Sequence, residues 1–162
     1  MAVMEPVAGT QLTLTLTDCV RQSVIAMFAS MIGFEPEYIG EKQDNEKCDG
    51  FVGIIAFVGD MNWSLMLGLP RGTSTIMAEK FAGFEIDYET DDMGDVVGEM
   101  ANIIAGDLVA RLDTMGITVQ LSTPSIARGK DLQILIPEGM PPVQLDFDSP
   151  EGKFWVKFSI AK

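Results

Sequence analysis

Two apolar runs set nearly end to end, Phe51 to Val58 and Met61 to Leu69, constrain this chain more than any other feature. Both are rich in Val, Ile, Phe and Trp, the composition of buried strands. Only Gly59-Asp60 separates them, and a glycine first in a two-residue connection suits a type II′ turn. The pair is therefore predicted to form an antiparallel hairpin. A sheet this apolar needs cover, and helical periodicity on either side of the hairpin supplies it.

Upstream, Thr17 or Asp18 is predicted to cap a helix that runs to Ile32, with Val20, Val24, Met27, Phe28 and Met31 on one face and Gly33 as its stop. Gln11 to Leu16 alternates Leu with Gln or Thr and reads as a short strand ahead of it. Phe34 to Lys42 reads as an edge strand, because Pro36 removes a ladder donor. Gln43 to Gly50 is a charged loop. Downstream of the hairpin, Thr73 or Ser74 opens a short helix that Gly83 ends. An acidic connector, Glu85 to Asp92, then leads to a second long helix, with Asp91 or Asp92 as cap and an end near Thr114 before Gly116. Ile117 to Leu121, Leu132 to Ile136, Val143 to Phe147 and Phe154 to Ile160 read as strands, the last two joined by the turn-like Ser149-Pro150-Glu151-Gly152. The expected fold is mixed α/β, with two long helices and a short one packed on a largely antiparallel sheet of six to eight strands. No linker divides residues 1–162, so a single domain is expected.

Charge and composition exclude several functions. Twenty-four acids against eleven bases give a net charge of -13, a field that repels phosphodiester backbones and anionic lipid. No nucleic-acid or membrane partner is expected. A cationic molecule or a basic protein surface fits this charge, and so does simple solubility. The chain has no histidine, which removes the usual near-neutral base, the usual zinc ligand and every Ser-His or Cys-His nucleophile pair. Cys19 and Cys48 read as reduced thiols of a cytoplasmic protein, and residues 1–10 lack the basic start of a signal peptide. The acidic run Asp87 to Asp92 lacks the turn glycine and terminal acid of a calcium loop, so it reads as electrostatics at a helix start. The methionines fall mainly at apolar positions and read as core filling.

Within the second long helix, Asp95, Glu99, Asn102 and Gly106 share one face, opposite Val96, Met100, Ile103, Ile104 and Leu108. Asn is a poor residue for a helix interior, and Gly costs about 1 kcal/mol there relative to Ala. A solvated polar stripe is one reading. Chemistry offers another: a carboxamide beside a phosphoryl group can hold water in line for attack. Glu99 can pair with a partner's lysine, and Gly106 can admit a partner's backbone. Such a half-site needs no metal ligand and no nucleophile of its own.

The run Glu99-Met100-Ala101-Asn102-Ile103-Ile104-Ala105-Gly106 resembles the signature helix of the CheC/CheX/FliY phosphatases of bacterial chemotaxis, and is most similar to the CheX branch. Gly59 and its hairpin, Gly83-Phe84-Glu85, and Leu121 to Gly129 with its Ser122-Thr123-Pro124 segment extend the resemblance over roughly residues 17–160. The resemblance implies a CheC-like fold and hydrolysis of the aspartyl-phosphate of a CheY-type response regulator. Asn102 would orient water and Glu99 would engage the regulator's lysine, with Asp95 and Gly106 in the contact. It implies Mg²⁺ held by the regulator, no cofactor on this chain, and a homodimer formed through sheet edges. Asp18-Cys19-Val20-Arg21 lacks the Asn of the second motif found on the first helix of CheC-like relatives, so one site per chain is expected. Asp107 stands where the family often carries a neutral polar residue. A non-catalytic receiver-binding, flagellar-switch or adaptation scaffold on the same fold is the alternative.

Overall fold

The computed structural model describes residues 4–42 and 46–161. The chain opens with helix α1 (Met4–Met27), which ends in a π-helical turn (Phe28–Ile32). Strands β1 (Glu37–Lys42), β2 (Cys48–Gly59) and β3 (Trp63–Pro70) follow, then helices α2 (Arg71–Ala82) and α3 (Asp91–Asp113). Strands β4 (Val119–Leu121), β5 (Ser125–Leu132), β6 (Val143–Asp148) and β7 (Phe154–Ile160) complete the described elements. The sheet runs β1-β6-β7-β3-β2-β4, with β5 also on β2, and the pairings are antiparallel.

Alternation along the central strands divides their residues between two faces. Phe51, Ile55, Phe57, Leu65, Leu67, Leu69, Val156 and Phe158 turn inward and join the buried faces of the helices in one core. Val52, Met66, Trp155 and Cys48 form a smaller cluster on the outer face. The helix α3 is held firmly by the larger core. Met93, Val97, Met100, Ile104, Leu108 and Leu112 are fully buried along it, each worth about 1.5–3 kcal/mol relative to exposure. Among the described residues no helix is long and apolar enough to cross a membrane.

Several expectations change on meeting the structure. Gln11 to Leu16 is helix, not strand, because Leu12 and Leu16 continue the face of Val20 and Val24 while Leu14 points out, 52% exposed. The Thr15 hydroxyl donates to the Gln11 carbonyl at 3.0 Å, keeping even this β-branched residue satisfied inside the helix. Met31, expected on the core face, is exposed, because the wider π-helical turn rotates it out and packs Ile32 instead. Gly33 does end that turn, at φ +97°.

The predicted edge strand is shorter, starting after Pro36 and pairing with β6 alone. Of the predicted Gln43–Gly50 loop, residues 43–45 lie outside the described residues and Cys48–Gly50 already belong to β2. The central hairpin forms, but its two-residue turn does not: the last β2–β3 pair is Phe57 with Trp63, and Val58 and Gly59 pair with β4 instead. Gly59 is there for close approach, since a Cβ on it would stand 2.5 Å from the Thr118 carbonyl oxygen. The helix α2 begins at Arg71 rather than Thr73 or Ser74. Leu132 to Ile136 is no strand beyond Leu132: Leu132, Ile134 and Ile136 pack against the outer-face cluster, while Leu135 is 83% exposed. The period of two marks an extended strap lying on the sheet.

Candidate functional site

The acids of the connector gather where α3 begins. Thr90 stands at the N-cap without a side-chain capping bond, its hydroxyl given instead to the Asp87 carbonyl at 2.7 Å. Asp91 and Asp92, one or other of them expected as the cap, both fall in the first turn, where their charge favours the positive end of the helix dipole. Asp95, Glu99, Asn102 and Gly106 follow along one exposed face, as the spacing predicts. Among the described residues no hydrogen bond or ion pair engages the side chains of Asp95, Glu99 or Asn102. Across the helix from it Val97, Met100, Ile104 and Leu108 are fully buried, with Val96 and Ile103 half-buried beside them, so the stripe rides on a fixed platform.

The stripe has a wall. Pro124, from the segment between β4 and β5, and Ile126, near the start of β5, close a pocket of about 370 Å³ with Gly94, Asp95, Gly98, Glu99 and Asn102. Gly98 permits this approach: a Cβ there would lie 3.3 Å from Ile126 Cδ1 and 3.5 Å from Pro124 Cγ. Gly106 differs. A Cβ on it meets nothing within 4 Å, so no packing within the described chain explains the missing side chain. The single-helix spacing that marks Glu99 and Asn102 in the sequence carries no sign of the wall, which comes from residues more than twenty positions downstream.

Asp107 is turned away from this face. Its carboxylate accepts the Arg111 Nε–H at 2.6 Å, and Arg111 reaches across to Gln22 Oε1 at 2.8 Å. Gln22 in turn donates to Asp18 at 2.9 Å. These links tie α3 to α1 along the exposed rim of the helix interface. Both cysteines are free and buried. Burial, with Asp49 nearby, pushes the Cys48 thiol up to about 11, and burial raises that of Cys19 as well, so neither is a thiolate nucleophile at neutral pH. A roomier hollow of about 550 Å³ lies between α2 and the connector, lined by Glu79, Glu85, Asp87, Ile76 and Tyr88 among others. Size does not select the site; unengaged polar groups on a rigid face do.

Residues 51–148, which span α3 and both wall residues, match the family described as Chemotaxis phosphatase CheX. The chain belongs to that family. A curated member, the CheY-P phosphatase CheX of Thermotoga maritima, is 24% identical over 116 residues, covering 69% of this chain and 74% of that one. The crystal structure of a chemotaxis protein CheX from Desulfovibrio desulfuricans superposes with a TM-score of 0.83 at 23% identity, covering 91% of this chain and 99% of that one. A CheX–CheY–BeF₃–Mg²⁺ complex from Borrelia burgdorferi contains a chain with a TM-score of 0.77 at 20% identity, covering 90% and 97%. Three helices on a mostly antiparallel open sheet are thus the CheC-like fold of the CheX family.

Proposed function

We propose that this CheX family member hydrolyses the aspartyl-phosphate of a CheY-type response regulator. Asn102 orients the attacking water through its carboxamide, Glu99 pairs with a lysine of the regulator, and Asp95 and Gly106 lie in the contact. Water attacks phosphorus, the P–O bond to the regulator's aspartate breaks, and the products are inorganic phosphate and a free carboxylate. Mg²⁺ and the acyl phosphate belong to the regulator, so this chain supplies orientation and charge. The observation that carries the reading is Asn102 itself: exposed, unengaged among the described residues and fixed beside Glu99 on a helix anchored by the buried Val97, Met100, Ile104 and Leu108.

A protein that borrows half its chemistry from a partner needs an open face, and the pocket between α3 and Pro124 is shallow enough to serve. The reading includes a cytoplasmic setting, where such regulators work, and a homodimer with one site in each chain. Phosphate release from phosphorylated CheY-type receiver domains, with wild type beside Asn102→Ala, tests it. Accelerated release that the variant abolishes supports the assignment. Binding of phosphorylated regulator with no change in phosphate lifetime would assign the protein to the scaffold class instead.

A further inference from the structure

Beside the site, the strand that pairs with β2 slips by one residue. Leu121 faces Phe57, whereas Ser125 faces Ile54. Two residues of β2, Ile55 and Ala56, therefore stand against three, Ser122, Thr123 and Pro124, which makes a bulge. A bulge leaves ladder groups to be satisfied, and one side chain does it here. The Ser122 N–H donates to the Ala56 carbonyl at 2.9 Å. Its hydroxyl accepts the Ala56 N–H at 2.9 Å and donates to the Thr123 carbonyl at 3.0 Å. A single oxygen thus stands in for the missing backbone carbonyl and fixes the peptide just ahead of Pro124. Pro124 has no N–H to return to the ladder, and its ring lies over Gly98 on α3.

We infer that Ser122 is a positioning residue of the site: its hydroxyl holds the bulge that sets Pro124 and Ile126 as the wall facing Glu99 and Asn102. The inference rests on the proposed role of those two residues. Ser122 touches neither the phosphoryl group nor the attacking water; it acts by fixing the surface against which the regulator seats. Because Ser122 is exposed, water can replace its bonds when the hydroxyl is removed. The fold then survives while the wall loosens.

The test is steady-state hydrolysis of a phosphorylated CheY-type receiver domain by wild type, Ser122→Ala, Ser122→Thr and Asn102→Ala. Ser122→Ala is expected to raise KM about threefold to tenfold, the equivalent of one neutral hydrogen bond, with kcat held within about twofold. Ser122→Thr, which keeps the hydroxyl, restores the wild-type KM. Partial unfolding alone would lower apparent kcat through lost active protein and leave KM in place. Should the alanine variant not fold, Ser122→Cys keeps the volume, weakens both bonds and carries the same KM reading. Wild-type KM in the alanine or cysteine variant, beside an inactive Asn102→Ala, overturns the role of Ser122. An active Asn102→Ala overturns instead the site assignment beneath it.

Discussion

Replacing Gly106 by alanine should move stability and activity in opposite directions. The residue sits inside α3 with ordinary right-handed backbone, and a Cβ built on it meets nothing within 4 Å. Alanine is favoured over glycine in such a position by about 1 kcal/mol. For a chain of this length that gain corresponds to a Tm rise of about 2–4 °C. The same methyl, one turn beyond Asn102, enters the face on which the regulator is proposed to dock. Overpacking a close backbone contact by one methyl costs about 1–3 kcal/mol, so kcat/KM should fall by about fivefold to a hundredfold. Gly98→Ala gives the contrast, because its methyl would press Ile126 Cδ1 at 3.3 Å and shift the wall within the molecule itself. Thermal unfolding followed by circular dichroism, paired with phosphate release from a phosphorylated receiver domain, reads both quantities. A Gly106→Ala protein that is stabilised and fully active would show that no partner needs the glycine. One that is destabilised would refute the packing argument.

Asn102→Ala should lower accelerated dephosphorylation by about a hundredfold or more, the cost of losing an oriented reactant, while its Tm is maintained or rises; retained activity refutes its role. Glu99→Gln should raise KM about twofold to fivefold at low salt, the range of an exposed ion pair, and the difference from wild type should fade as salt is added; a salt-independent defect refutes the pairing. Alkaline pH should expose the burial of Cys48. Its thiol titrates near 9.0 when unperturbed and is pushed up to about 11 in the fold, so between these values the unfolded chain has lost a proton that the folded one keeps. Stability is then full below about pH 9 and is lost as pH rises toward 11; the urea midpoint should fall across that window in wild type and fall less in Cys48→Ala, and parallel slopes refute it.

The readings that held and those that changed differ in which interactions decide them. Phe51–Val58 reads as a strand from its continuous apolar run and Phe154–Ile160 from its period of two, and both answer directly to a sheet largely covered on its two faces. Gln11–Leu16 shows the same period of two and is helix, since its fate is set by the buried face of Val20 and Val24 one and two turns on. Leu132–Ile136 also alternates, and its apolar residues meet Val52, Met66 and Trp155 across the outer face without forming a further strand. Periodicity reports which side of a segment is dry. Whether the backbone pairs with a neighbour is a property of the neighbour, and residues far away in sequence supply it.

The site divides along the same line. Asp95, Glu99, Asn102 and Gly106 lie on one helix, where spacing alone places side chains on a common face, and the structure puts all four there. The wall needed long-range information: Pro124 reaches Gly98 only because β4 and β5 share β2 as a partner with a one-residue slip between them. The three glycines of the helix sort by this distinction. Gly98 is pressed by Ile126 and Pro124, so the chain's own packing accounts for it; a Cβ on Gly94 would meet Ile126 at an ordinary 3.9 Å, and Gly106 faces open space. Helix propensity disfavours it and internal packing does not require it. In the proposed mechanism this glycine, for which the folded chain has no use of its own, would face the molecule that brings the phosphoryl group.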